Sequence, residues 1–435
     1  MMALVHSHYS LQAGVVSPQA WVQAAAARGY RSLALADVDG LYGAVEFAQA
    51  ARRQGLQAII GAMLEWTPGR WYTALVKTAA GYRQLCRLLT ARHTWPRFTL
   101  AQAASQGGID ELIFLSRSSE VLAGLSALVA PESLYALPCL ADAVGSRQPF
   151  LWSALASSHP SVWIPDAWLL EESDRTVFDC LGALRHRRGR SGGLDLSHPG
   201  SLLPEALAWS RRHPDRRAAE AIMASCVFEF SFGQPLLPRL ALPGRRTAPQ
   251  HLELLSRQGL ERRYPRGHAR RARAEQRLGK ELEVVIAKGI ADYFLYVHDI
   301  VAFARGEDIP VGVRGSAAAC ILSYLLGFTE CCPIEHDLYF ERFLNPGRRD
   351  YPDIDLDIAD VRRDEVVDFC YRRWGADHVA MVATVQCYRE RGARRDAARL
   401  LGLSRERLER LEAGLEACPD LERLTAMLTG RPRHL

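Results

Sequence analysis

Lysine is almost missing from this chain of 435 residues: Lys77, Lys280 and Lys288 are the only three among 54 basic residues, and the other 51 are arginines. A long apolar run is missing too. The nearest, residues 309–328, is broken by Arg314 and rich in Gly, Ala and Ser, so no membrane-spanning helix is expected. The opening MMALVHSHYS has neither the basic nor the apolar region of a signal peptide. The ten cysteines form no CxxC, and apart from the adjacent Cys331 and Cys332 they are scattered. That excludes a disulfide scaffold, argues against structural zinc, and suits reduced thiols in the cytoplasm. There is no fixed-period repeat and no low-complexity tract. With 48% hydrophobic and 24% charged residues, the chain is neither disordered nor fibrous and has room for two to four domains.

The net charge of +5 is mild, but its distribution is uneven. Between Arg262 and Lys280 the basic residues Arg262, Arg263, Arg266, Arg270, Arg271, Arg273, Arg277 and Lys280 face a single acid, Glu275. Such a stripe is either a solvated helix face or a surface that tracks phosphates. The first 200 residues alternate helical and β-like runs. Helices are expected over 17–28, 41–55 and 81–91, and strands over 32–36, 56–63, 71–77 and 111–116. Repeated β-α units predict a parallel sheet, open or closed into a barrel. The Arg-, Gly- and Ser-rich stretch 185–200 reads as a boundary. The chain is therefore divided into 1–200, a helical and Pro-rich connector over 201–249, and a strongly helical block over 250–435.

The chemistry concentrates in residues 311–357. Gly315 and Ser316 open a run of helix formers from Ala317 to Leu326. Glycine at a helix start lets backbone N–H groups approach a ligand, and the helix dipole favours an anion there. Arg314 adds a bidentate cation. An ordinary capped helix would look the same. Downstream, Asp353, Asp355 and Asp357 alternate with Ile354 and Leu356, a period-2 pattern that puts all three carboxylates on one side of an extended segment. Like charges so close repel unless divalent cations sit among them, and carboxylate-bridged metals suit phosphoryl displacement. An exposed acidic edge strand is the alternative.

Taken together, the strings GxRGSAAxxxxSYLLGxT, DLxFERFLNP, PDIDxD, RRDEVVDF and WGxDHVA resemble the palm of C-family bacterial DNA polymerases, the DNA polymerase III alpha subunit and its error-prone relatives. The tail from Ala383 to Leu403 is nearer the error-prone branch. The resemblance implies a nucleotidyltransferase-like (polymerase-β-like) palm with Asp353 and Asp355 as the paired catalytic aspartates that bind Mg2+. Asp357 is a possible third acid, and Arg314, Gly315 and Ser316 would hold the incoming triphosphate. Primer-template DNA and deoxynucleoside triphosphates are the implied partners, with the stripe, Arg262, Arg263, Arg270, Arg271 and Arg273 above all, as candidate DNA contacts.

Residues 1–200 resemble the PHP domain of the same family, a distorted β/α barrel, through His6, Ser7, Tyr9, Ser10, Asp37, the string DGLYG and the string GAML. Its metal ligands are largely replaced: Leu4, Val38, Met63 and Trp168 stand at ligand positions, leaving His6, Asp37 and Asp166 as a vestigial set. In the palm, Val313 replaces a glycine that usually precedes the arginine, and Gly347 replaces an acid. The family's third catalytic aspartate is expected beyond Leu435, so the palm is expected to be truncated and incomplete, and a second polypeptide is an expected partner. The reading is thus an α/β chain, a PHP-type barrel followed by a helical segment and a partial palm, with DNA polymerase activity incomplete or inactive alone. The alternatives are a non-catalytic remnant or accessory DNA-binding protein, and, less favoured, a PHP phosphoesterase.

Overall fold

The computed structural model describes residues 1–138, 159–187 and 201–400, except 214, 234, 235, 243, 346 and 348–350, together with 402, 406, 407 and 409. Most of the boundary read at 185–200 lies outside the described residues. The chain divides into two compact units: Met1–Phe232 with Cys387–Leu435, and Gly233–Gln386.

The first unit is built on one sheet. Its strands are β1 (Met2–Val5), β2 (Ser32–Val38), β3 (Gln57–Thr67), β4 (Arg70–Val76), β5 (Leu112–Ser116), β6 (Leu134–Ala136), β7 (Asp166–Leu169) and β8 (Ser201–Leu202). They lie in the order β6-β5-β4-β3-β2-β1-β7-β8. Alternate residues serve two cores, as the pleat dictates. Ala3, Val5, Leu33, Leu35 and Phe114 pack with Trp21 and Val22 of α1 (Pro18–Ala27), Phe47 of α2 (Ala44–Gln54), Leu85 and Leu88 of α3 (Ala79–Thr94), Leu100 of α4 (Leu100–Gly107) and Val121 of α5 (Ser119–Ser126). Met2, Leu4, Ala34, Ala36, Ile59 and Ile113 form a second cluster with residues farther along this unit. Local signals set the helix ends: the Ser17 side chain accepts from Ala20 N–H ahead of Pro18, and α2 stops at Gly55 with φ +67°.

The sheet is α/β as expected but not wholly parallel. β1, β2 and β3 pair in parallel, as do β1 with β7 and β5 with β6, whereas β3–β4 and β4–β5 are antiparallel. The two-residue link Pro68-Gly69 allows only a hairpin between β3 and β4. The unit continues through α6 (Asp174–Arg187), α7 (Ala206–Arg212) and α8 (Arg217–Ser225), whose Ala219 and Ile222 join the second cluster.

The second unit starts with α9 (Ala248–Arg263), α10 (Arg271–Ala287) and α11 (Ala291–Gly306). A capping box between Thr247 and Gln250 opens α9. These helices surround α12 (Ile321–Leu325), and Leu252, Leu278, Phe294, Ile321, Leu322 and Phe328 share their core. The helix expected over 317–326 is split. Gly315–Ala319 form a 3-10 turn, Cys320 is extended (φ −89°, ψ 130°), and only then does α12 begin. Strand β9 (Val311–Val313) pairs antiparallel with β10 (Leu356–Ile358), and α13 (Arg363–Trp374) follows. Of the strand read over 353–357, only the part from Leu356 is paired as a strand, although the alternation of exposed acids with half-buried Ile354 and Leu356 extends back to Asp353. Near the end, α14 (Glu390–Leu400) packs on α6 in the first unit.

Helix α9 passes so close to the end of α12 that a Cβ on Gly259 would lie 2.1 Å from the carbonyl oxygen of Leu325. Backbone cannot yield cheaply there, so Gly259→Ala is expected to destabilise the protein by about 1–3 kcal/mol in urea unfolding. An unchanged midpoint would contradict this packing.

Candidate functional site

The β9–β10 ladder sets the register of the acids against the glycine turn. Leu356 pairs with Val313, Asp357 with Gly312 and Ile358 with Val311, and one step farther the Arg314 N–H donates to the Asp355 carbonyl at 3.1 Å. The acid segment thus runs beside the residues that enter the turn. Asp357 Oδ1 lies 3.8 Å from Arg314 Nε, with both side chains about 70% exposed (69% and 71%). The segment is fixed from behind by Tyr293 on α11, whose hydroxyl accepts from Ile354 N–H at 2.8 Å. Burial first, and then the charges of Asp353 and Asp355, push that hydroxyl above its usual range. Tyr293 is a residue of the site to which the sequence attached no role.

Asp353 and Asp355 are exposed. Most acids in this arginine-rich unit are ion-paired, yet among the described residues neither of these carboxylates has an ion-pair or hydrogen-bond partner in the protein. Two open carboxylates two residues apart fit the protein's share of a magnesium site, which takes one or two carboxylates together with substrate phosphates and water. The described residues contain no group of three or more His, Cys, Asp or Glu placed to hold a metal.

Gly315 has φ +70°, open to glycine but strained for other residues, and Arg314 and Gly315 are exposed. The start of α12 is not open to an anion, because its first N–H groups are already bonded. Ile321 and Leu322 N–H donate to Oε2 of the buried Glu281 at 2.8 and 3.4 Å. What remains for a phosphate is the turn itself, at Gly315 and Ser316, with Arg314. Val313 does not crowd that approach: its side chain is buried in the core of the unit.

The basic stripe is largely engaged within its own unit. Arg262 donates to Leu325 O, and Arg263 pairs with Glu330 at 2.6 Å and lies over the Tyr324 ring. Arg271 bridges Glu261 and Glu275, Arg277 pairs with Glu281, and Lys280 with Glu341. Arg270 and Arg273 are exposed and paired with the exposed Glu335 and Asp337. Such surface pairs contribute little and can be exchanged for a phosphate.

In the first unit, His6, Asp37 and Asp166 meet at the ends of β1, β2 and β7. The His6 ring hydrogen-bonds through Nδ1 to Ala36 O, and its Nε2 lies 2.7 Å from Asp166 Oδ1. Each ring nitrogen is directed at an oxygen, so neither is open to a metal. The Trp168 ring stacks on the imidazole with centroids 3.8 Å apart. Arg117, just past β5, donates to Asp166 Oδ2 at 2.6 Å. Burial alone would raise the Asp166 carboxyl; Arg117 and His6 outweigh it and hold the group down at about 2. Asp37 accepts from Ser7 N, Ser7 Oγ and Ser10 Oγ at 2.6–2.8 Å. There burial dominates and pushes the carboxyl up, against those hydrogen bonds. This donor set does not fit a metal: a guanidinium and an indole fill the space around it. Arg117 carries no signal in the sequence beyond its place after a strand.

Two family models match the chain: the bacterial DNA polymerase III alpha NTPase domain over residues 250–428 and the PHP domain over residues 4–143. Among curated relatives, the error-prone DNA polymerase of Pseudomonas syringae pv. syringae is 33% identical, with 99% of this chain and 45% of the relative covered. That of Corynebacterium efficiens is 34% identical over 99% of this chain and 42% of the relative. The chain thus spans somewhat under half the length of these relatives. A solved putative metal-dependent phosphoesterase from Bifidobacterium adolescentis is 15% identical, covers 48% of this chain and 94% of that one, and has a TM-score of 0.17; at that score it bears on nothing further.

The Asp166 pair makes a testable contribution. A carboxyl held below its ordinary value stabilises the fold above the unfolded pKa near 3.9, and the stabilisation is lost as pH falls toward 2. Arg117→Met should cost about 2 kcal/mol at pH 7 and flatten the acid limb of stability against pH between about 4 and 2. If the variant matches the parent at both pH values, Arg117 is not the counter-charge.

Proposed function

Because the chain belongs to the C family of bacterial DNA polymerases, we propose that it is an alpha-subunit-like DNA-directed DNA polymerase of the error-prone type, acting in the cytoplasm on primer-template DNA and deoxynucleoside triphosphates. The observation that carries this reading is the pair of open carboxylates, Asp353 and Asp355, running beside the Arg314–Gly315–Ser316 turn. Asp353 and Asp355 would hold divalent cations, Mg2+ in this proposal, and Asp357 would stay with Arg314. When bound, the cations supply activation of the primer 3′-hydroxyl and neutralisation of the leaving pyrophosphate. The protein's own residues do the rest. Arg314 and the N–H groups of Gly315 and Ser316 bind and orient the triphosphate, and Tyr293 keeps the acid segment at the distance the substrates need.

The resemblance implies a third carboxylate, which we place outside residues 1–435, either farther along the polypeptide or on a second chain. The His6 site takes no part. Its imidazole nitrogens and Asp166 are bound to one another, to Ala36 and to Arg117, which leaves phosphoester hydrolysis without ligands.

Primer extension tests the reading with the chain supplied together with a polypeptide equivalent to the rest of its relatives' length. Magnesium-dependent extension is expected, reduced on the order of 10³-fold by Asp353→Asn or Asp355→Asn, as for other groups that stabilise charge at a reacting centre. Extension that ignores both substitutions would overturn it. In the same complex, Arg270→Gln with Arg273→Gln should lower the salt slope of primer-template binding by up to about 2 without moving the melting temperature. An unchanged slope would return these arginines to the surface of the fold.

A further inference from the structure

The turn that would receive the triphosphate is held at both ends, and only one end is held by the ladder. At its entrance, Arg314 N–H donates to Asp355 O and Val313 N–H to Phe328 O. At its exit the chain passes through extended Cys320 into α12, whose own residues provide no cap. The cap comes instead from α10. Glu281, with a side chain 0% exposed, accepts through Oε2 from Ile321 N–H, Leu322 N–H and the Cys320 thiol at 2.8, 3.4 and 2.9 Å. Its other oxygen accepts from Arg277 Nε at 2.6 Å. Arg277 Nη2 then donates to Ala319 O, the last carbonyl of the turn, at 3.2 Å, and to Leu338 O at 3.0 Å. Two side chains one turn apart on α10 therefore hold the carbonyl before Cys320 and the N–H groups after it.

We infer that Glu281, acting with Arg277, is a positioning residue for the Arg314–Gly315–Ser316 cradle. The inference rests on the polymerase reading for its consequence, but the clamp itself is a property of the fold. For stability alone, a buried ion pair has no advantage over an apolar pair of similar volume. What an apolar pair cannot do is satisfy two helix N–H groups and one carbonyl at fixed positions. The clamp thus acts on where the turn sits more than on whether the unit folds. It also removes Arg277 from the set of residues that could track DNA.

Two measurements separate these roles. In the assembled polymerase, Glu281→Gln should raise the KM for the incoming nucleotide about tenfold while kcat changes much less, as expected when binding geometry rather than chemistry is disturbed. The double variant Glu281→Leu with Arg277→Leu removes the lone buried charge that either single Leu change leaves, and should melt above both single variants though below the parent, yet keep the raised KM. A double variant with parental KM would show the pair to be merely structural and overturn the inference. In the 435-residue chain alone, hydrogen exchange at Ile321 and Leu322 should be about tenfold faster in Glu281→Gln than in the parent. Unchanged exchange would refute the clamp. Faster exchange together with an assembled parent that shows no extension would refute the polymerase reading and leave the clamp standing.

Discussion

Three residue pairs, Leu356 with Val313, Asp357 with Gly312 and Ile358 with Val311, fix the acid segment beside the glycine turn. Without that short antiparallel ladder, the acids and the glycine turn belong to stretches far apart in sequence. Because the ladder register is set residue by residue, a slip of one would turn Asp353 and Asp355 inward and bring Ile354 and Leu356 to the surface. Partial burial of those two aliphatics against the helical core opposes such a slip. Apolar contacts thus decide where the charged groups point.

Arginine chemistry ties the rest together. In a chain so rich in guanidinium groups, the informative carboxylates are those left without one. Asp353 and Asp355 are among them, and they lie beside the glycine turn. Where arginine does meet a buried acid, it builds structure: Arg277 with Glu281 under the turn, and Arg117 with Asp166 beside His6. In the second case the guanidinium supplies positive charge in a pocket whose histidine has both ring nitrogens against oxygens, and Trp168 fills the space above the ring.

Much of this was legible in the sequence. The strands at 32–38 and 112–116 and the helices at 18–27 and 44–54 follow from apolar runs, Ser17 and Gly55. The extended alternation of acids and aliphatics was visible as a period of two. What composition could not show was partnership. Nothing near Glu281 in the sequence marks it as the cap of a helix forty residues on, and Arg277 and Arg271 look like members of a solvated stripe until their acids and carbonyls are found in space. The antiparallel β3–β4 pair was signalled by Pro68-Gly69 but masked by the surrounding β-α rhythm. The break at Cys320 was hidden because Ala317–Leu326 are good helix formers, and only the cap from α10 shows why the helix starts later.

If cations lie between Asp353, Asp355 and the Gly315 turn, iron-directed cleavage reads that location without any need for catalysis. With Fe2+ in place of Mg2+, and ascorbate and peroxide added, radicals cut the backbone near the bound metal. Cuts are expected around residues 313–316 and 353–357, suppressed by excess Mg2+ and absent in Asp353→Asn. Cuts clustered elsewhere, or cuts at these positions that persist in Asp353→Asn, would contradict that location.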